Sequence, residues 1–224
     1  MSDVELARQR DITGLFRDGL AVYARNLRVF LTLSAAIVVP VHVVVSGIGL
    51  EQLSAGYDRT PSAAAIAAPT AVSFLVVAPL IAGTCIRALQ ELGGGGRPKA
   101  RVALVEGLEA FTPLFPAVLL AAAGIALGLA LLIVPGIYLA IRWFFVPQAV
   151  VIDRARGAGA LRHSGEAVEG FWWRTLVIVL AANLLAALPG FLLAEVVTAP
   201  FIAIIATLLY YDLRARRRAG PGLA

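Results

Sequence analysis

Four polar side chains stand inside otherwise apolar stretches of this chain: His42, Arg142, Asn183 and Glu195. An ionisable group in such surroundings is costly unless it is paired or hydrated, so each is a candidate for function. Arg142 and Glu195 have opposite charge and are natural partners, facing inward and meeting directly or through water. His42 follows Pro40 and Val41. A packed histidine bonded to backbone competes there with a proton relay. Patterns that carry better-known chemistry are missing. There is no His-Glu-x-x-His, no Gly-x-Ser-x-Gly and no phosphate loop. The run Gly93-Gly94-Gly95-Gly96 precedes Arg97 and Lys99 but lacks Gly-Lys-Ser/Thr, and it reads as a flexible linker. No catalytic residue, metal site or cofactor is expected. Cys85 is the only cysteine, which excludes an internal disulfide and favours a small packing residue.

The elements that must position these residues follow from hydropathy. The chain has 224 residues, of which 60% are hydrophobic, with mean hydropathy +0.86. Crossing a hydrocarbon core takes about 20 apolar residues per helix, and stretches near that length recur. They lie at about 29–50, 63–89, 113–134, 137–152, 171–188 and 191–211. The expected fold is all-α, an integral membrane bundle of six transmembrane helices over residues 29–212. Residues 1–28 form a cytoplasmic N-terminus with an amphipathic interfacial helix, and residues 213–224 a basic cytoplasmic tail. In the 11–28 stretch Ile12, Leu15, Phe16, Leu20, Tyr23 and Leu27 recur at helical steps beside Arg17, Arg25 and Arg28. A helix packed against the bundle would show the same stripe.

Net charge is +5 and the pI about 10.0, a balance that can point to nucleic acid. Here the basic residues flank apolar spans instead. Six spans leave Arg59 alone opposite the rest of the nineteen Lys and Arg residues. The positive-inside rule then makes the Arg-rich side cytoplasmic, with both termini there. Counted from the opposite turns, the four polar residues share a depth one to two helical turns inside. The site they form suits a lipid headgroup or small anion. The competing role is an ion pair that fixes how spans 4 and 6 pack. Gly124 and Gly128 make a small-xxx-small step suited to close helix packing.

A unit of interfacial helix plus hairpin recurs along the chain. Asp18-Gly19-Leu20 with Tyr23 matches Glu106-Gly107-Leu108 with Phe111, and Ser164-Gly165 with Val168 and Phe171 is a looser third copy. Three such units would pack around a pseudo-threefold axis.

Three stretches resemble a bacterial membrane-domain family associated with some glycerophosphoryl diester phosphodiesterases, with YciC-like inner-membrane proteins as relatives. They are Val134-Pro135-Gly136-Ile137-Tyr138 through Arg142, then Ala160-Leu161-Arg162-His163-Ser164 with Gly170-Phe171-Trp172-Trp173-Arg174, and Leu208-Leu209-Tyr210-Tyr211-Asp212-Leu213-Arg214. The resemblance implies a polytopic bundle without a defined enzymatic activity, and hydrolase activity does not carry over. The third stretch puts Asp212 and Arg214 just inside the cytoplasmic boundary, where contacts to Arg162 or Ser164 would make a structural lock. The expected role is a non-enzymatic protein of a bacterial plasma (inner) membrane. It would support membrane or envelope lipid homeostasis by binding lipids or another membrane protein, with no nucleic-acid partner. The alternative is a small transporter or channel with a polar site near the outer leaflet.

Overall fold

The computed structural model describes Leu6 and residues 8–45, 71–187 and 193–219. The loop with Glu51, Asp58 and Arg59, the start of span 2 and the Pro189-Gly190 turn lie outside the described residues. Among the described residues every regular element is helical: α1 (Ile12–Arg25), α2 (Leu27–Val45), a π-helical turn (Ser73–Val77), α3 (Ala78–Gly93), α4 (Ala100–Leu131), α5 (Ile133–Arg142), α6 (Val146–Asp153), α7 (Ala158–Val168), α8 (Trp172–Ala187) and α9 (Leu193–Ala219). Five helical stretches among the described residues are long and apolar enough to cross a membrane: Leu27–Val44, Ser73–Gly93, Ala100–Leu131, Ile133–Asp153 and Glu195–Ala219. A sixth counts if α7 and α8, bent by 99° at their junction, form one span. Gly170, with φ +82°, makes that bend at a conformation open to glycine.

Burial separates the helices into two kinds. The spanning windows of the π-turn with α3 and of α9 are 56% and 67% buried, against 28% for α2 and for α4. α3 and α9 therefore form the centre, while α2 and α4 present apolar side chains outward. Leu119, Leu127 and Leu131 of α4 and Val39 and Val43 of α2 are exposed, as lipid-facing residues would be.

Three expectations change. First, α1 does not lie apart from the bundle. Arg10, Gly19 and Tyr23 meet Asp212, Ile205 and Val197 in turn, so α1 runs antiparallel along α9. Of its apolar stripe, Leu15 and Tyr23 are buried against protein together with Val22, whereas Ile12, Leu20 and Leu27 remain exposed. Second, the glycine run is an ordered cap. Gly96 N–H donates to the Glu91 carbonyl at 2.9 Å and Gly95 N–H to Leu92 at 3.1 Å, with Gly95 at φ +77°. This six-to-one and five-to-two pattern closes α3 by satisfying its last carbonyls. Third, the second interfacial stretch and span 3 are one continuous helix, the 32-residue α4.

Span 4 is broken into α5 and α6 by turns at residues 143–145. The cause is Pro147, which has no N–H to donate back to residue 143 and disfavours helical backbone before it. Two orphaned groups result, the Phe145 N–H and the Arg142 carbonyl. Ser164 Oγ of α7 accepts from the first at 3.1 Å and donates to the second at 2.9 Å. One buried hydroxyl thus repairs both sides of the break, as non-helical backbone inside an apolar bundle requires. At the other glycine step, Gly124 lies against the Trp143 ring and Gly128 against Gly136, so the small residues of α4 serve contact with α5.

Candidate functional site

The densest polar structure lies where α1 begins, α8 begins and α3, α6 and α9 end. It has two carboxylate hubs. Asp212, on the last turns of α9, is fully buried. It accepts the Arg10 backbone N–H at 2.6 Å, Arg174 Nη2 at 3.2 Å and Arg216 Nε at 3.0 Å. Arg174 and Arg216 also donate to the Arg10 carbonyl. The segment before α1 is thereby clamped between α8 and α9. Arg10 itself, 4% exposed, turns its guanidinium to Asp18 at 3.0 Å and to the Leu6 and Arg8 carbonyls. A buried carboxylate keeps its charge only with such compensation, and two guanidiniums plus an amide supply it.

The second hub is Asp153, the last residue of α6. Tyr210 donates its hydroxyl to one oxygen and Arg214 a guanidinium N–H to the other, and His163 Nδ1 lies 3.5 Å away. Arg214 also stacks over the Tyr210 ring, 5.6 Å from its centroid. α6, α7 and α9 are tied together at this point.

The four residues expected to form the lock have separate partners and, among the described residues, no bond to one another. Asp212 contacts Arg10, Arg174 and Arg216, and Arg214 contacts Asp153. Among the described residues Arg162 pairs with Glu166, at 3.5 Å on the exposed face of α7. Ser164 serves the break in span 4. Arg10, Asp153, Arg174 and Arg216 carry the lock and were absent from the candidates. The available signal was an Asp closing each of two apolar spans next to Arg.

The four polar residues within the spans do not form one site. His42 Nε2 and Glu195 Oε2 meet at 2.8 Å, with each side chain 33% exposed. Arg142 does not pair with Glu195 among the described residues. It bonds the Tyr138 hydroxyl at 2.9 Å, stacks over that ring and presses against Gly165 of α7. Asn183 is exposed and donates to the Val179 carbonyl one turn back at 2.8 Å. Counting rise from a turn gives depth along a straight helix. It gives neither the direction a side chain faces nor the offset added by the break at 143–145.

Around the lock, Arg97, Lys99, Arg101, Arg154, Arg156 and Arg218 are exposed and pair with no carboxylate among the described residues. Arg154 holds a left-handed backbone, φ +56° and ψ +26°, at the end of α6. Such a conformation costs a residue bearing a β-carbon about 1–2 kcal/mol. A cleft of about 490 Å³ opens beside it, between α3, α4 and the end of α6. Among the described residues, no group of three His, Cys, Asp or Glu side chains is placed to hold a metal ion.

The fold and this basic end define an all-helical protein with membrane-spanning character. Comparison with protein-family models, with curated proteins and with solved structures finds no match for this chain.

Proposed function

We propose that this chain is a non-enzymatic, six-span protein of a bacterial inner membrane, with both termini in the cytoplasm, that binds phospholipid at its basic end. The observation that carries the reading is the division of labour among its cations. Arg10, Arg174, Arg214 and Arg216 are used up by buried or half-buried carboxylates. Arg97, Lys99, Arg101, Arg154, Arg156 and Arg218 are left to face the surroundings. Cations at a cytoplasmic boundary attract anionic lipid, about 1 kcal/mol for each Lys or Arg near the surface.

The threefold architecture has support in three glycines. Gly19 presses on Ile205 of α9, Gly107 on Thr84 of α3 and Gly165 on Arg142 of α5. Each is the glycine of one repeat unit, and each meets the second span of the preceding hairpin, so the contacts close in a ring. At Gly107 a β-carbon would come within 3.0 Å of the Thr84 backbone. The resemblance to the phosphodiesterase-associated membrane domains agrees with a polytopic bundle lacking a catalytic centre.

The test is the lipid shell retained in polymer nanodiscs. Replacing Arg97, Lys99 and Arg101 with Gln lowers the enrichment of phosphatidylglycerol over phosphatidylcholine, by about fivefold for each residue at most. Unchanged enrichment would contradict a lipid-binding basic end.

A further inference from the structure

We propose that the 490 Å³ cleft holds one phosphoethanolamine headgroup of a phospholipid, with its phosphate at Arg154, Arg156 and Arg87 and its ammonium at Glu109 and Glu106. The proposal rests on the lipid-binding reading above and narrows it to a single site and headgroup.

The cleft lies within the size range of ordinary ligand sites. Its charged walls have both signs. Glu106 and Glu109 come from one face of α4, three residues apart, with Ala110 and Pro113 following at helical spacing. Arg87 comes from α3, and Arg154 and Arg156 from the segment after α6.

The groups are incompletely satisfied by one another. Arg87 Nε is buried without a hydrogen-bond partner, and its nearest carboxylate oxygen, on Glu106, is 3.9 Å away. That distance is beyond hydrogen-bond reach. Glu109, Arg154 and Arg156 have no ion-pair partner among the described residues. Arg154 lines the cleft from a left-handed backbone, the kind of strain that persists where surrounding structure imposes it and that collects at ligand sites.

A simple anion would answer the arginines and leave Glu109 facing the cleft. A simple cation would do the reverse. A phosphate joined by two carbons to a primary ammonium answers both, because guanidinium groups bind phosphate oxygens and the ammonium N–H groups suit carboxylates. A quaternary ammonium has no N–H to donate. Ala110, Pro113 and Val150 also line the cleft. Val105, Thr112 and Pro116, at helical steps from Glu109, are exposed along the outer side of α4. An acyl chain leaving the cleft has that side to follow, which favours a lipid over free phosphoethanolamine.

The experiment is native mass spectrometry of the full chain in a delipidating detergent, titrated with phosphatidylethanolamine, phosphatidylglycerol or phosphatidylcholine of matched chains. The expected result is a one-to-one adduct that favours phosphatidylethanolamine. Arg154→Asn with Arg156→Gln weakens it by about tenfold or more, the loss of one strong charge-assisted contact. Glu109→Gln removes the preference over phosphatidylglycerol while leaving phosphatidylglycerol binding intact. These side chains are exposed, so melting temperatures stay near wild type and report folding separately. Millimolar phosphoethanolamine fails to displace the lipid. Equal binding of all three lipids, or an arginine variant that binds as wild type does, would overturn the proposal. A preference for phosphatidylglycerol that ignores Glu109 overturns it in favour of a plain phosphate site, and displacement by free phosphoethanolamine overturns the lipid source. If the adduct is missing while the Arg97, Lys99 and Arg101 variant still loses its anionic shell, the headgroup site fails and the broader lipid reading stands.

Discussion

Asp212 and Glu195 sit on the same helix, about 25 Å apart at 1.5 Å of rise per residue, and live in opposite conditions. Asp212 is closed from solvent and held by two guanidiniums and a backbone amide from three separate segments. Glu195 is one-third exposed and, among the described residues, meets one imidazole. The first arrangement makes a carboxylate indispensable, because any missing partner leaves a buried charge uncompensated. The second encloses neither partner fully and, among the described residues, rests on one contact. Arginine content that topology alone would attribute to positive-inside bias thus has two uses at the basic end. Arg174 and Arg216 neutralise a buried acid, whereas Arg154 and Arg156 face a cleft.

The largest effect belongs to the lock. Replacing Arg174 and Arg216 together with Gln strands Asp212 beside one amide and costs about 3–5 kcal/mol, read by thermal unfolding in detergent. A loss below 1 kcal/mol would mean the hub does not hold the fold. Next comes Ser164→Ala, which orphans the Phe145 N–H and the Arg142 carbonyl and costs about 1–3 kcal/mol. Faster hydrogen exchange at the Phe145 amide accompanies that loss, and unchanged exchange would assign the repair of span 4 to another group.

Arg154→Gly sharpens the comparison by moving two properties in opposite directions. Relief of the left-handed strain raises stability by up to about 1 kcal/mol, while the phosphatidylethanolamine adduct weakens. A variant that is both less stable and fully lipid-competent would contradict the role given to that residue.

The smallest effect is on the acid side. Asp11 caps α1, and its carboxyl is held below the usual range first by the Thr13 hydroxyl and also by the Gly14 N–H. A depressed folded pKa stabilises above the unfolded value and loses that contribution as pH falls through the folded one. Wild type and Asp11→Ala therefore differ in melting temperature at neutral pH and converge as pH falls through the lowered pKa of the folded carboxyl. A difference that persists in strong acid would assign the cap's effect to something other than charge.

Much of the helical layout was legible because it rests on local signals. Apolar runs mark the spans. The pairings were harder. Arg142 and Glu195 have opposite charges and similar counted depths, yet the break at 143–145 carries Arg142 toward Tyr138 and α7. Asp212 finds Arg10, about two hundred residues earlier, because α1 lies along α9. An apolar stripe such as that of α1 fits lipid and protein equally well, so only tertiary packing decides between them. The cleft was also invisible, since its walls come from three elements and its arginines look like ordinary boundary charges.

The most direct measurement sets Asp212→Asn beside Glu195→Gln in the same nanodiscs and compares their unfolding temperatures with wild type. Asp212→Asn should lose about 3–5 kcal/mol, as a broken buried pair does, and Glu195→Gln less, because it removes one contact rather than three. Equal losses, or the larger loss at Glu195, would contradict the claim that the basic end holds this molecule together.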